Sequence, residues 1–169
     1  MSVSYFKEFT AYLETHRLGT PVGCTDLEIS KLEAKIGNPL PGAYKFYLQL
    51  MGRDHKGVMV GTDCFLTDIE SNNEYLPELL EENNLSDYAL PENYIAFFSH
   101  GGYMMAWFAI PNQDDDPQVT YYFEGTTKKP ESGVRFTEFM GKDLMGNAKL
   151  CLEERDFKEN RKKWWMFWK

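Results

Sequence analysis

The chain has 169 residues, 43% hydrophobic and 15% aromatic, which is enough side-chain volume for one domain with a real core and requires no second one. Its formal charge is −8, from 26 carboxylates against 18 Lys and Arg, a balance that opposes binding to nucleic acid or anionic lipid. No stretch offers the roughly 18 to 20 apolar residues that span a bilayer, and Met1 to Glu8 lacks a basic region followed by an apolar one, so a cytoplasmic location is expected.

The first predicted helix runs from Ser4 to Arg17, with Phe6, Phe9 and Leu13 at helical spacing and Gly19 and Pro21 as the stop. A second is announced by Thr25-x-x-Glu28, where the hydroxyl accepts from a first-turn N–H and the carboxylate reaches back to the cap N–H. Ile29, Leu32 and Ile36 give it one buried face, and Gly37 ends it. Pro41 is preset for the first position of a third helix, which carries Tyr44, Tyr47, Leu48 and Met51 and stops at Gly52.

After Gly52 the pattern alternates. Strands are expected at Gly57 to Val60, Cys64 to Leu66, Tyr94 to Phe98, Tyr103 to Ile110, Gln118 to Phe123 and, weakly, Gly133 to Phe136. Both alternating sets of Tyr103 to Ile110 are apolar, so that strand belongs in the middle of a sheet covered on both faces. Ser99-His-Gly-Gly reads as a hairpin turn and Asn112 to Pro117 as the next connection. A polar helix is predicted over Asp68 to Glu82, contacting through Ile69, Leu76, Leu79 and Leu80 and broken at Pro77. Phe136-Thr-Glu-Phe-Met starts a late helix, and Ala148 to Lys163 forms a charged one that closes in Trp164-Trp-Met-Phe-Trp-Lys169. The expected fold class is α+β, with N-terminal helices packed on a mainly antiparallel sheet of about five or six strands and C-terminal helices.

Charge is distributed unevenly along this order. From Gly57 to Thr127 there are 71 residues with no Lys or Arg and 13 carboxylates, so the middle carries −13 and the flanks +5. The aromatic and β-branched content of the block marks it as folded. A one-signed surface of this kind is either a solvated face or a face that attracts a cationic partner.

Catalytic and metal chemistry find little support. Cys24, Cys64 and Cys151 are widely spaced, form no Cys-x-x-Cys pair and fit reduced thiols. Each could pair with His16, His55 or His100 only through the fold, since none lies in a nucleophile signature. Asp114-Asp115-Asp116 lacks the spacing and the distal Glu of a calcium loop, and no phosphate-binding loop is present, so neither metal nor cofactor is expected. Arg161 to Lys169 mixes cations with aromatics, which suits docking onto the domain or a partner better than a membrane surface.

One block carries a family likeness. Glu28, Leu32, Leu40, Pro41, Tyr44, Leu48 and Gly52 fill the places of a capped helix, a Leu-Pro, a Tyr and a closing Gly in a pattern that resembles the opening of the SUKH superfamily, which includes SMI/KNR-type cell-wall regulators and bacterial immunity proteins. Tyr94-Ile-Ala-Phe-Phe, Tyr103 to Ile110, Asp115 to Tyr121 and Phe136-Thr-Glu-Phe-Met extend the likeness to about residues 5 to 145, with Thr137 and Met140 as departures. Residues 146 to 169 form a C-terminal aromatic extension that the pattern does not cover. The resemblance implies a single SUKH-like domain over residues 1 to 169 that binds protein rather than catalysing a reaction. The favoured role is immunity, in which a basic toxin domain, such as a nuclease, is neutralised through an acidic face; the alternative is an intracellular regulatory or scaffold protein with no toxin partner. Asp114, Asp115, Asp116, Glu78, Glu81 and Glu82 are the expected partner contacts.

Overall fold

The computed structural model describes residues 4 to 166, with side chains from 4 to 158. Helices α1 (Ser4–Thr15), α2 (Asp26–Ile36) and α3 (Gly42–Met51) come first, followed by a sheet that a long helix closes. The strands are β1 (Thr62–Asp63), β2 (Tyr94–His100), β3 (Met104–Ala109), β4 (Gln118–Phe123) and β5 (Glu131–Arg135), with α4 (Ile69–Glu82) between β1 and β2 and α5 (Phe136–Met166) at the end. The five strands form an antiparallel meander in chain order. The architecture is therefore the expected α+β one, with helices on both faces of the sheet.

Local rules explain the first elements. Thr25 and Glu28 form the anticipated capping box: the Glu28 N–H donates to Thr25 Oγ1, and the Thr25 N–H donates to Glu28 Oε2 at 2.8 Å. Pro41 sits one position earlier than expected, as the cap before α3, where its carbonyl accepts from the Lys45 N–H. The fold needs Gly52 for space, because a Cβ there would lie 2.8 Å from Cys24 Sγ and from the Leu48 backbone.

The two faces of β3 lead to two cores. Met105 and Trp107 pack with Leu76, Leu79 and Leu80 of α4, while Ala106, Phe108 and Ile110 join the larger cluster under α1, α3 and α5. A bulge between Ala96 and Phe98 turns two consecutive rings to the same side. Phe97 and Phe98 both meet Phe139 edge-on, at centroid distances of 5.8 and 5.3 Å. The edge strands are poor templates. β1 has two residues, and β5 is mostly exposed, preceded by Pro130 and carrying Gly133 at φ +138°.

Four expectations need correction. Residues 57 to 60 and 64 to 66 are not strands: the first segment is a turn anchored by buried Val58 and Met59, and the second leads into a 3-10 turn at Leu66–Asp68. His100 is not in the hairpin turn but in β2, paired with both Thr62 and Met104. The two late helices are one, since Gly141 and Gly146 continue α5 instead of ending it. At Gly141 the reason is close approach, because a Cβ would lie 2.9 Å from Tyr5 Cβ where α1 crosses.

The fourth correction concerns Pro77, which lies within a continuous α4. A proline at 77 has no N–H to give the Asn73 carbonyl. The Tyr94 hydroxyl of β2 donates to that carbonyl at 3.1 Å, and Asn73 Oδ1 accepts the Ala96 N–H at 2.7 Å. The sheet thus supplies the bond that the helix lost and fixes α4 on its face. Tyr94→Phe should cost about 1 kcal/mol in urea unfolding by orphaning the carbonyl, and the cost should fall in a Pro77→Ala background, where the new N–H takes the acceptor; equal costs in both backgrounds would disprove the substitution of one donor for the other.

Candidate functional site

The structure does bring one cysteine to one histidine. His55 and Cys64 are both buried, with His55 Nδ1 3.8 Å from Cys64 Sγ. Tyr47 completes the group: its hydroxyl donates to the Cys64 carbonyl at 2.9 Å and so accepts from His55 Nε2, also at 2.9 Å, which leaves Nδ1 bare toward the sulfur. Burial pushes the Cys64 thiol up to about 12 and the imidazole down to about 4, so at neutral pH neither is charged. A nucleophilic pair needs a thiolate. This one is a neutral polar knot joining α3 to the segment before α4. Cys24 and Cys151 are free thiols, and burial raises that of Cys24 to about 11.

His100 accepts or donates at 2.7 Å to Thr62 Oγ1 and stacks edge-on against Tyr103. Asp143 of α5 is raised above the usual carboxylate range by burial, with His100 opposing the shift. Among the described residues, no group of three His, Cys, Asp or Glu is arranged to hold a metal ion.

The six expected contact residues fall into two separate places. The Asp triplet lies in the loop between β3 and β4, against the N-termini of α3 and α5. Asp114 is ion-paired with Arg135 and accepts the Asp116 N–H. The Asp115 carbonyl accepts the Ala43 N–H at 2.8 Å. Asp116 takes both the N–H and the hydroxyl of Thr137, at 3.0 and 2.6 Å. The Asp116 carboxylate at the start of α5 complements the helix dipole there, and the Asp115 carbonyl takes a first-turn N–H of α3, which gives this loop a role within the chain.

Glu78, Glu81 and Glu82 lie on α4, across the sheet from α3 and α5. Together with Glu70 and Glu74 they line the outer face at positions i, i+4, i+8, i+11 and i+12, opposite the buried set Ile69, Asn72, Leu76, Leu79 and Leu80. Only Glu70 of the five is ion-paired among the described residues, with Lys35 of α2 at 2.6 Å. Three like-charged pairs thus stand at i, i+4, and Glu81 and Glu82 occupy a last turn where the helix dipole disfavours acids. Glu82, Glu124 and Glu78 add to burial in raising the Tyr75 hydroxyl, whose proton is given to the Gly102 carbonyl at 3.0 Å.

Beside the ridge runs a groove of about 510 Å³ between α2 and α4. Leu32, Ile36, Leu66 and Ile69 give it an apolar floor, and Glu28, Lys31, Lys35, Glu70 and Glu74 lie on its rim. Of the expected buried face of α2, only Ile29 is buried; Leu32 and Ile36 remain half-exposed in this groove, and Leu27 is 64% exposed beyond it. The contact with Arg53, then that with Thr25, holds the Glu28 carboxyl down at about 2. Glu70 and Glu74 belong to both groove and ridge, so the acidic face and the apolar concavity are continuous. Glu70 and Glu74 extend the expected set Glu78, Glu81 and Glu82 along the same face, at a four-residue spacing visible in the sequence.

Among the described residues, no helix is long and apolar enough to cross a membrane. The family model SUKH_6, described as SMI1-KNR4 cell-wall, matches residues 26 to 140, from the start of α2 into the opening of α5. No curated protein matches the chain at a significant level.

The His55 knot has a pH signature. Its folded pKa, about 4, lies below the unfolded value near 6.5, so the unfolded chain binds the extra proton and stability falls as pH drops from 6.5 toward 4. Between pH 7 and pH 5 this group alone should remove about 2 kcal/mol. Denaturant titrations of His55→Gln should show that increment missing; an unchanged pH slope would contradict the neutral buried imidazole.

Proposed function

The chain belongs to the SMI1-KNR4 family of the SUKH superfamily, and on that premise we propose that it is a non-catalytic protein-binding domain acting as an immunity protein, whose α4 ridge and adjoining groove engage a basic toxin domain. One observation carries the reading: α4 keeps like charges at i, i+4, of which Glu74, Glu78 and Glu82 have no ion pair among the described residues, and acids in its last turn, each against its own stability. A merely solvated helix gains from Lys at these positions. An acidic face that must meet a cationic cleft cannot accept them.

The division of labour follows from the geometry. Glu74, Glu78, Glu81 and Glu82 steer a basic partner by long-range attraction and raise the association rate. The floor at Leu32, Ile36 and Leu66 offers a place for an apolar or aromatic anchor from the partner, the kind of contact that dominates binding energy. Asp114, Asp115 and Asp116 form a second acidic patch, but with Asp114 and Asp116 engaged inside the chain they are secondary contacts in this proposal.

The reading predicts a trade-off. Glu81→Lys with Glu82→Lys places two cations within reach of Glu78 and suits the helix end, so stability should rise by about 0.5 to 1 kcal/mol. The same variant should slow association and lose rescue when co-expressed with the lethal product encoded beside this gene. Full rescue by the stabilised variant would sink the ridge as the binding face. If no neighbouring product is toxic, the regulatory or scaffold reading, to which the family's cell-wall description is suited, takes its place.

A further inference from the structure

The groove between α2 and α4 has walls of opposite charge. Most acids of α2 are engaged elsewhere: Asp26 accepts from Gln49, Glu33 pairs with Lys45, and Glu28, although it lines the groove, already pairs with Arg53. The cations of the α2 wall, Lys31 and Lys35, face a wall from α4 that carries Glu70 and Glu74. Lys35 and Glu70, both exposed, join at 2.6 Å, whereas Lys31 and Glu74 have no ion pair among the described residues. An exposed pair of this kind holds weakly and gives way to a competitor.

The floor says what shape fits between the walls. Ile29, Leu32 and Ile36 have the spacing of a helix face made to be covered, yet only Ile29 is buried; Leu32, Ile36 and Leu66 lean on the larger core from one side and stay half-exposed on the other. The α2 wall, from Glu28 to Ile36, is about 12 Å long at the usual rise. A docked helix sets down anchors at i, i+3 or i+4, and i+7 over that length. Helices α2 and α4 spend their backbone N–H and C=O groups on themselves, so a segment lying between them must satisfy its own, as a helix does.

We propose that this groove takes an amphipathic helix of the partner, with its apolar stripe on Leu32, Ile36 and Leu66, basic side chains on the flank toward Glu70 and Glu74, and acidic ones on the flank toward Lys31 and Lys35. The incoming charges replace the Lys35–Glu70 bridge, so both of its members keep a counter-ion when the groove receives its guest. The proposal rests on the reading of the groove as part of the binding face and adds a requirement to it. The anchoring segment is mixed in charge, although the net charge of −8 and the α4 ridge would by themselves select a purely basic one.

Three synthetic helical peptides that share one apolar stripe test this on the full chain by fluorescence anisotropy: one with Lys on one flank and Glu on the other, one with Lys on both, and one with Glu on both. The mixed peptide should bind about tenfold tighter than the all-Lys one, and the all-Glu one most weakly. Lys31→Glu, which leaves the Lys35–Glu70 pair in place, should reverse the order of the first two. Leu32→Asp should weaken the mixed peptide by at least about tenfold, with circular dichroism confirming that each variant is folded. An all-Lys peptide that binds as well as the mixed one, an order that Lys31→Glu leaves unchanged, or binding insensitive to Leu32→Asp overturns the proposal. So does a dimer of the unliganded chain that Leu32→Asp dissolves, since a second copy then covers the groove. No toxin enters this assay, so helix binding without a toxic neighbour strikes the immunity role alone, whereas loss of rescue by Glu81→Lys with Glu82→Lys beside a negative peptide result strikes the helix alone.

Discussion

Phe136 holds the layers together. As the first residue of α5 it brings its ring to centroid distances between 5.0 and 6.1 Å from Phe6 of α1, Tyr44 and Tyr47 of α3, Phe97 of β2 and Phe108 of β3. Most of these contacts are edge-on, the arrangement that the ring quadrupole favours. Four elements are thereby referred to one point, and that point is also where β5 turns into α5. The Asp114–Asp116 loop sits beside this junction, and the Asp116 carboxylate holds the α5 start through Thr137. The acidic loop belongs to the aromatic core's support before it belongs to any surface.

The other face follows a different logic. α4 rests on a smaller cluster around Trp107 and contains a proline that its own backbone cannot accommodate without help from Tyr94. Its outer face concentrates glutamate where lysine would be stabilising. The helix is thus secured from below by the sheet and left electrostatically unrelieved above, which is the condition a surface must meet if its field is to act on something outside the molecule.

What the sequence disclosed was governed by local rules. The capping box at Thr25, the apolar positions of α4, the two-sided burial of β3 and the family block from Glu28 to Gly52 all follow from spacing within a few residues. Tertiary contacts decided the rest. Pro77 looked like a break because its rescue comes from Tyr94, 17 residues away in the chain. The late helix was expected as two pieces, Phe136 to Met140 and Ala148 to Lys163, because the reason for a glycine at 141 within it is Tyr5, at the opposite end of the sequence. For the candidate site, the four-residue spacing of the α4 carboxylates was legible, whereas the intrachain partners of the Asp114–Asp116 loop, Arg135, Ala43 and Thr137, lie far from it in sequence and were not. The groove was not legible at all: Leu32 and Ile36 have the spacing of buried residues, and only the distance between α2 and α4 leaves them half-open.

The sheet itself closes off one mode of recognition. A two-residue strand forms one border, and the other, β5, is preceded by a proline and interrupted by a glycine at positive φ. Neither border offers the run of free N–H and C=O groups on which an extended peptide could add a strand. The contacts proposed for this protein accordingly rest on side chains, chiefly those standing on helices, and not on strand addition. Recognition is then written in residue identity rather than backbone shape, and a helix face can change partner by substitution while the meander beneath it stays the same.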